Sequence, residues 1–397
     1  MNNVLELFKG VGVIIDDALN PANPRKGDDI WKIKESFEKK NVPLVTYEGL
    51  PANETIQNFN SIGFLLLDWD LLGLPEEDVL QGIRKPDFSD ENINFIKQFN
   101  SICFAPIFIF SKENPESIIS KLIEADLYDI TKSNHIFVES KSNVKQAGTL
   151  FGKIKSWIEK TPSMYVLKEW ENSMYQAKHN LFWDFYHVNP MWPNILKQTF
   201  QIDGADENHE LSSLIYKNLV ARTTHAIFDD KILNKNTRRV TKEDLRKILE
   251  CERFLKQDKL SANIPAVGDV FKDNKDYYIN IRPDCDILRK GDDVRLYCLK
   301  GKIVKEQQIN SKNKSKIIFN KGELLEKNYN AYIAFIDDGK IIEFKFNENN
   351  IIHEEWRNLK TKRIGRLLPP HITRLQQKYA FYLQRQGLPA IPDKAIK

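Results

Sequence analysis

Residues 62–70 read IGFLLLDWD, an apolar run from Ile62 to Leu67 that stops on Asp68 and continues through Trp69 to Asp70. A strand with one face in water alternates apolar and polar residues. A run that is apolar at every position belongs to a strand buried on both faces, and so to a parallel sheet with helices on both sides. The same texture recurs. Val11–Ile15 (VGVII) runs into Asp16 and Asp17, Phe104–Phe110 (FAPIFIF) into Ser111, and His135–Glu139 (HIFVE) is followed by Ser140 and Lys141. Pro43–Tyr47 is a shorter strand of the same series. Lys32–Lys40 (KIKESFEKK) and Pro115–Ala125 (PESIISKLIEA) carry helical patterning between the strands. Five strands in a β–α series predict a doubly wound, flavodoxin-like α/β domain over residues 1–160.

Beyond that domain the pattern changes twice. Residues 145–180 read as helical, with Leu150, Ile154, Trp157 and Ile158 on one face, and Pro162 interrupts them, which puts a boundary near 160. Residues 161–260 predict a helical domain rich in aromatics, including His179–His187 (HNLFWDFYH). Its last helix opens on Thr241 with Asp244 three residues on, a variant of the capping box. Residues 261–350 hold short strands such as DYYINIRP, VRLYCL and KIIEFKF. Turn signals such as Asp273-Asn274 and Asp338-Gly339 separate them, and the pattern predicts a small antiparallel β-barrel-like domain. Residues 351–397 form a basic C-terminal segment with a helix over 370–386.

Composition narrows the function classes. The chain has 397 residues, 41% of them hydrophobic and 29% charged, so it has the material for packed cores. Its 59 basic and 55 acidic residues leave +4, too small an excess to mark a nucleic-acid binder. No apolar run approaches the ~18–20 residues of a membrane span. The N-terminal stretch has no basic start, which argues against a signal peptide. Cys103, Cys251, Cys285 and Cys298 form no CxxC pair, which points to a reducing, cytoplasmic setting and small core thiols. Asp284, Cys285 and Asp286 lack a second Cys or His at ligand spacing and read as a turn. There is no Walker loop, GxGxxG, GxSxG or HExxH, so no ATP-using catalytic domain is expected.

The polar groups of the first domain gather where ligands of open α/β sheets bind, at the carboxyl ends of the strands. Asp16 and Asp17 end the first strand, Asp68 the third and Ser111 the fourth, and Lys141 follows the fifth. Clustered carboxylates repel unless a hard cation such as Mg²⁺ neutralises them. A carboxylate can attack phosphorus. A lysine ammonium offsets charge on a transferring phosphoryl group.

With these residues in this order, residues 8–160 resemble the receiver domains of two-component response regulators. The resemblance implies that Asp16, Asp17 and Asp68 bind Mg²⁺, with the backbone carbonyl of Asp70 as a further ligand. It implies that Asp68 accepts a phosphoryl group from a partner histidine kinase, that Ser111 takes the switch Ser/Thr place, and that Lys141 pairs with the phosphate. Any enzymatic activity would then be self-phosphorylation and autodephosphorylation. Two features depart from the family. The connection from Asp68 to Ser111 is long, with Lys85–Glu91 (KPDFSDE) reading as an inserted loop. Lys141 is not followed by Pro, and Lys112, directly after Ser111, is an alternative lysine.

The expected output is protein–protein, through a downstream effector or a homodimer. A receiver protein of this kind is similar to the regulators of two-component-type antiphage systems, including the phosphate-buffering regulators of Detocs. Two other outputs stay open. One is DNA binding by the C-terminal segment. There Arg357, Lys360, Lys362, Arg363, Arg366, Arg374, Lys378 and Arg385 accompany Tyr379, Phe381 and Tyr382 with no acid between Trp356 and Pro392. No helix-turn-helix supports that reading. The other is a toxic effector gated by the receiver.

Overall fold

The computed structural model describes residues 9–22, 24–71, 88–204, 206–224, 227–234, 240–260, 264–288, 293–304, 318–320, 323–325, 330–384 and 395. They fall into two compact units, Met1–Val188 with Tyr216–Asn236, and Asn189–Ile215 with Thr237–Lys397.

The first unit is built on strands β1 (Gly12–Ile15), β2 (Leu44–Tyr47), β3 (Phe64–Leu67), β4 (Ile107–Ser111) and β5 (Ile136–Ser140). All pair in parallel, in the order β2-β1-β3-β4-β5. Helices α1 (Asp29–Glu38), α2 (Asn53–Ile56), α3 (Ser89–Ile102), α4 (Pro115–Glu124), α5 (Lys141–Val144) and α6 (Ala147–Ile158) accompany them. Successive strand residues point to opposite faces, and here each face feeds its own core. Ile14, Phe64, Leu66, Phe108 and Phe110 pack with Ile30, Ile33 and Phe37 of α1 and Leu150, Ile154 and Ile158 of α6. Val13, Ile15, Leu65, Leu67, Ile107 and Ile109 pack with Phe95, Ile96 and Phe99 of α3 and Ile118 and Leu122 of α4. Burial of both faces is why the runs in β1, β3 and β4 are apolar, whereas β2 is half-exposed, and the unit is a doubly wound α/β domain.

One boundary differs from the expectation. β4 begins at Ile107, whereas the apolar run begins at Phe104, which is exposed. Pro106 has no N–H for the ladder; its carbonyl accepts from the Leu65 N–H at 2.9 Å, and pairing proper starts one residue later. The break at Pro162 separates α6 from α7 (Pro162–Val188), which Pro162 itself opens, a position where a missing N–H costs nothing.

The chain continues through α8 (Trp192–Ile202), α9 (Glu207–Arg222), α10 (Asp230–Leu233) and α11 (Lys242–Arg253). At the start of α11 the Thr241 hydroxyl accepts from the Asp244 N–H at 3.1 Å, and the Asp244 carboxylate accepts from the Thr241 N–H at 3.2 Å, which completes the capping box.

The second unit carries an antiparallel sheet in the order β12-β13-β9-β8-β7-β15-β6, with β14 also on β9. Its strands are β6 (Phe254–Lys256), β7 (Asp269–Asp273), β8 (Asp276–Asn280), β9 (Arg295–Ile303), β12 (Asn330–Ile336), β13 (Lys340–Lys345), β14 (Ile351–Glu355) and β15 (Arg363–Leu367); β10 (Ile318–Asn320) and β11 (Glu323–Leu325) form a separate pair. β9 pairs with β8 on one side and is shared on the other by β14, over Arg295–Leu299, and β13, over Gly301–Ile303. That sharing curls the sheet into a barrel-like form. Helices α12 (Asp284–Leu288), α13 (Trp356–Leu359) and α14 (His371–Gln384) complete the unit. Ile372 and Leu375 of α14 pack with Val270, Ile279, Leu299, Ile342 and Phe344 of the sheet. Among the described residues no helix is long and apolar enough to cross a membrane.

Candidate functional site

The strand order reverses between β1 and β3, and ligands of doubly wound sheets bind outside the strand ends at such a switch point. Asp16 leaves β1 there, and Asp68 leaves β3 beside it. Backbone pairing holds both in place. The Asp16 N–H donates to the Tyr47 carbonyl and the Asp68 N–H to the Ile15 carbonyl, each at 2.9 Å. Asp16 caps the short turn Asp17–Leu19, its Oδ1 accepting from the Ala18 N–H at 2.9 Å. This capping points Asp17 to the same edge, where Arg25 donates to its Oδ1 at 2.5 Å.

Oxygens of Asp16, Asp17 and Asp68 all lie within 4.8 Å of one another. Lys141 enters from the start of α5, its side chain 2% exposed, with Nζ 2.6 Å from Asp68 Oδ2 and 2.7 Å from Asp16 Oδ2. Asp70 stays close through its backbone, its N–H donating to Asp68 Oδ1 at 3.3 Å. Ser111 is fully buried at the end of β4, in register with Ser140. Its hydroxyl accepts from the Glu113 N–H at 3.2 Å, a turn contact of its own rather than a bond to the aspartates. Lys112 lies outside the cluster. It is exposed, and its Nζ pairs with Asp28 Oδ2 at 2.9 Å.

Burial sets the electrostatics. It pushes the carboxyl of Asp68 up to about 7, against the pull of Lys141 and with the Asp16 charge adding to the rise. Burial likewise raises Asp16 and Asp17. Lys141 moves the opposite way from a buried lysine, because Asp68, Asp16 and Asp28 outweigh its own desolvation and hold it protonated. Asp16, Asp28 and Asp68 share the Lys141 ammonium and Asp17 pairs with Arg25, so carboxylates outnumber the buried cations at this edge. Asp17 Oδ2 is buried and has no hydrogen-bond partner among the described residues. A buried carboxylate oxygen without a donor is costly, and a hard cation that binds oxygen ligands fits that donor set.

One member of the site was not foreseen. Asp28 lies just ahead of α1 and caps it, Oδ1 accepting from the Ile30 N–H at 3.1 Å. The same oxygen is 3.6 Å from Lys141 Nζ. The sequence signal is Gly27-Asp28-Asp29 before a helical run, which reads as a cap alone. Burial raises Asp28, but Lys141, Lys112 and the Ile30 N–H outweigh it, and the carboxyl sits below its usual range.

The basic residues of the C-terminal segment belong to the second unit. In the C-terminal segment Arg363 and Arg366 both pair with the buried Asp269, Arg357 with Glu355 and Lys362 with Asp273. Tyr379 and Tyr382 pack on Phe346. Arg385 and residues 85–87 lie outside the described residues, whereas Ser89–Glu91, expected to belong to an inserted loop, instead open α3, where Asp90 and Glu91 lie in the first turn.

No protein-family model matches the chain, and no curated protein does. Among solved structures, a fusion containing the trimeric coiled coil of yeast Spc42 is similar over 37% of this chain and 78% of that one. Identity is 11% and the TM-score 0.23, a likeness that carries no argument.

Proposed function

We propose that this protein is a response-regulator-like receiver protein that accepts a phosphoryl group on Asp68 from a histidine kinase, with Mg²⁺ as cofactor. The observation that carries the reading is the Asp68 carboxylate at the β1/β3 switch point, with Lys141 Nζ at 2.6 Å and Asp16 and Asp17 within 4.8 Å. Asp16, Asp17 and Asp68 would hold Mg²⁺, together with the Asp70 carbonyl. When bound, the cation supplies positive charge against the phosphoryl oxygens.

The chain's own residues do the rest. The ionised Asp68 attacks phosphorus, a P–O bond forms as the donor's P–N bond breaks, and the departing imidazole takes up a proton. Lys141 then exchanges its contact with the Asp68 carboxylate for one with a phosphoryl oxygen. Ser111 turns from the Glu113 N–H to donate to another. The output is protein–protein. In support, Trp170, Trp183 and Tyr186 of α7 are about half exposed, at 50%, 47% and 53%. One such output is to buffer phosphoryl groups drawn from the kinase, as in an antiphage two-component-type system.

The test is the intact mass after incubation with acetyl phosphate. A single phosphoryl adduct that needs Mg²⁺ and is absent from Asp68→Ala supports the reading. No adduct from acetyl phosphate or a histidine-phosphorylated donor sinks it.

A further inference from the structure

Asp28 reaches Lys141 yet stands outside the Asp16–Asp17–Asp68 group, and it is tied by its other oxygen to Lys112, the residue directly after β4. We propose that Asp28 is a positioning residue for Lys141, and that the Asp28–Lys112 pair sets how readily a divalent cation takes Asp16 and Asp68 from the Lys141 ammonium. The inference rests on the reading that the three aspartates bind such a cation.

An ammonium has three donors and no acceptor. Around Lys141 Nζ there are three carboxylates, Asp68 at 2.6 Å, Asp16 at 2.7 Å and Asp28 at 3.6 Å. A cation bound to Asp16 and Asp68 competes with the ammonium for the same oxygens and repels it. Asp28 offers the ammonium a buried anionic partner that the cation does not use. Its side chain is 5% exposed, so solvent screens the attraction little.

How strongly Asp28 draws Lys141 depends on its other partners. The Ile30 N–H takes one oxygen at 3.1 Å, and Lys112 faces the other at 2.9 Å. Lys112 is 61% exposed, so its pairing is weakened by solvent and salt, and its removal should cost the fold little. The two substitutions therefore have opposite signs. Without the Asp28 charge, Lys141 settles more firmly on Asp16 and Asp68 and cation binding weakens. Without Lys112, Asp28 draws Lys141 harder and cation binding tightens.

A capping role alone makes a different prediction. Asn caps a helix about as well as Asp, so Asp28→Asn keeps the cap and removes only the charge.

The experiment uses the full chain with no phosphoryl donor and Mn²⁺ as the probe. Free ion is read from its electron paramagnetic resonance signal, and bound Mn²⁺ is then displaced with Mg²⁺. The wild type binds. Asp28→Asn raises the dissociation constant roughly fivefold or more, and Lys112→Gln lowers it roughly twofold or more. Lys112→Gln has no further effect on top of Asp28→Asn, because Lys112 acts through Asp28. Unchanged binding in Asp28→Asn overturns the proposal, and so does a Lys112→Gln effect of equal size in both backgrounds, which is what simple long-range repulsion by Lys112 gives. Should Asp28→Asn fail to fold, Asp28→Ser keeps a capping side chain without the charge and serves as the background in its place, and unchanged binding in Lys112→Gln overturns the proposal as well. A wild type that binds no Mn²⁺ overturns the metal reading instead, and this inference with it.

Discussion

Lys141 holds the balance of charge at the strand ends, and the consequence can be measured by removing it. Lys141→Met leaves Asp16, Asp28 and Asp68 buried and facing one another with no ammonium between them. Breaking a buried ion pair from one side costs roughly 3–5 kcal/mol, and urea unfolding of the variant at neutral pH should show a loss of that order. Millimolar Mg²⁺ should recover part of it by binding the folded state alone; a loss under ~1 kcal/mol contradicts the assigned charge balance. The sequence could place Asp16, Asp17, Asp68, Ser111 and Lys141 at one edge because each stands at or just past the end of a strand, and a parallel sheet brings such positions together. Asp28 was not legible. It closes no strand, its cap is the same whether or not Lys141 is near, and only the packing of α1 beside α5 brings the two together.

At the scale of elements, the β12–β13 hairpin carries a pH-dependent contact. Burial raises the carboxyl of Asp337, but Lys340, the Tyr277 hydroxyl and Lys272 outweigh it and bring it down to about 2. A carboxyl held below its unfolded value stabilises the fold above that value and loses the contribution as it protonates. The stability that Asp337 adds should be complete above about pH 4 and vanish as the pH falls through about 2. Asp337→Asn should therefore lower urea stability at pH 6, keep a small part of that difference at pH 2, and match the wild type at about pH 1. A difference that persists at the lowest pH contradicts the assignment.

The turn into β7 depends on backbone geometry. Gly268 has φ +87°, and an added Cβ would lie 2.3 Å from the Leu367 carbonyl oxygen. Gly268→Ala should cost at least ~2 kcal/mol in the second unit, since it combines left-handed strain with a clash against backbone. Helix α3 was missed, its first residues having read as part of a loop, whereas the apolar strands and the helices α1, α4 and α6 were readable from their periodicity. β6, β14 and β15 were not. Three to five residues give little pattern, and each is a strand only through a partner far along the chain, as Gly365 on Lys256 or Ile351 on Leu299.

At the scale of the molecule, two compact units with separate cores predict separable unfolding. Lys141→Met should lower a transition that Gly268→Ala leaves in place, and the reverse should hold, when both are followed by calorimetry. A single transition that moves equally in both variants would show the units unfolding as one. The proposed function involves the whole chain, since a phosphorylated receiver would act through what it binds. It stands or falls on where the phosphoryl group is attached. The direct measurement is to treat the full chain with acetyl phosphate and Mg²⁺, reduce it with borohydride, and map the peptides by mass. Reduction of an acyl phosphate turns its aspartate into homoserine, and the expected position is residue 68, between Leu67 and Trp69. Homoserine at any other aspartate, or at none, would contradict the assignment of Asp68 as the acceptor.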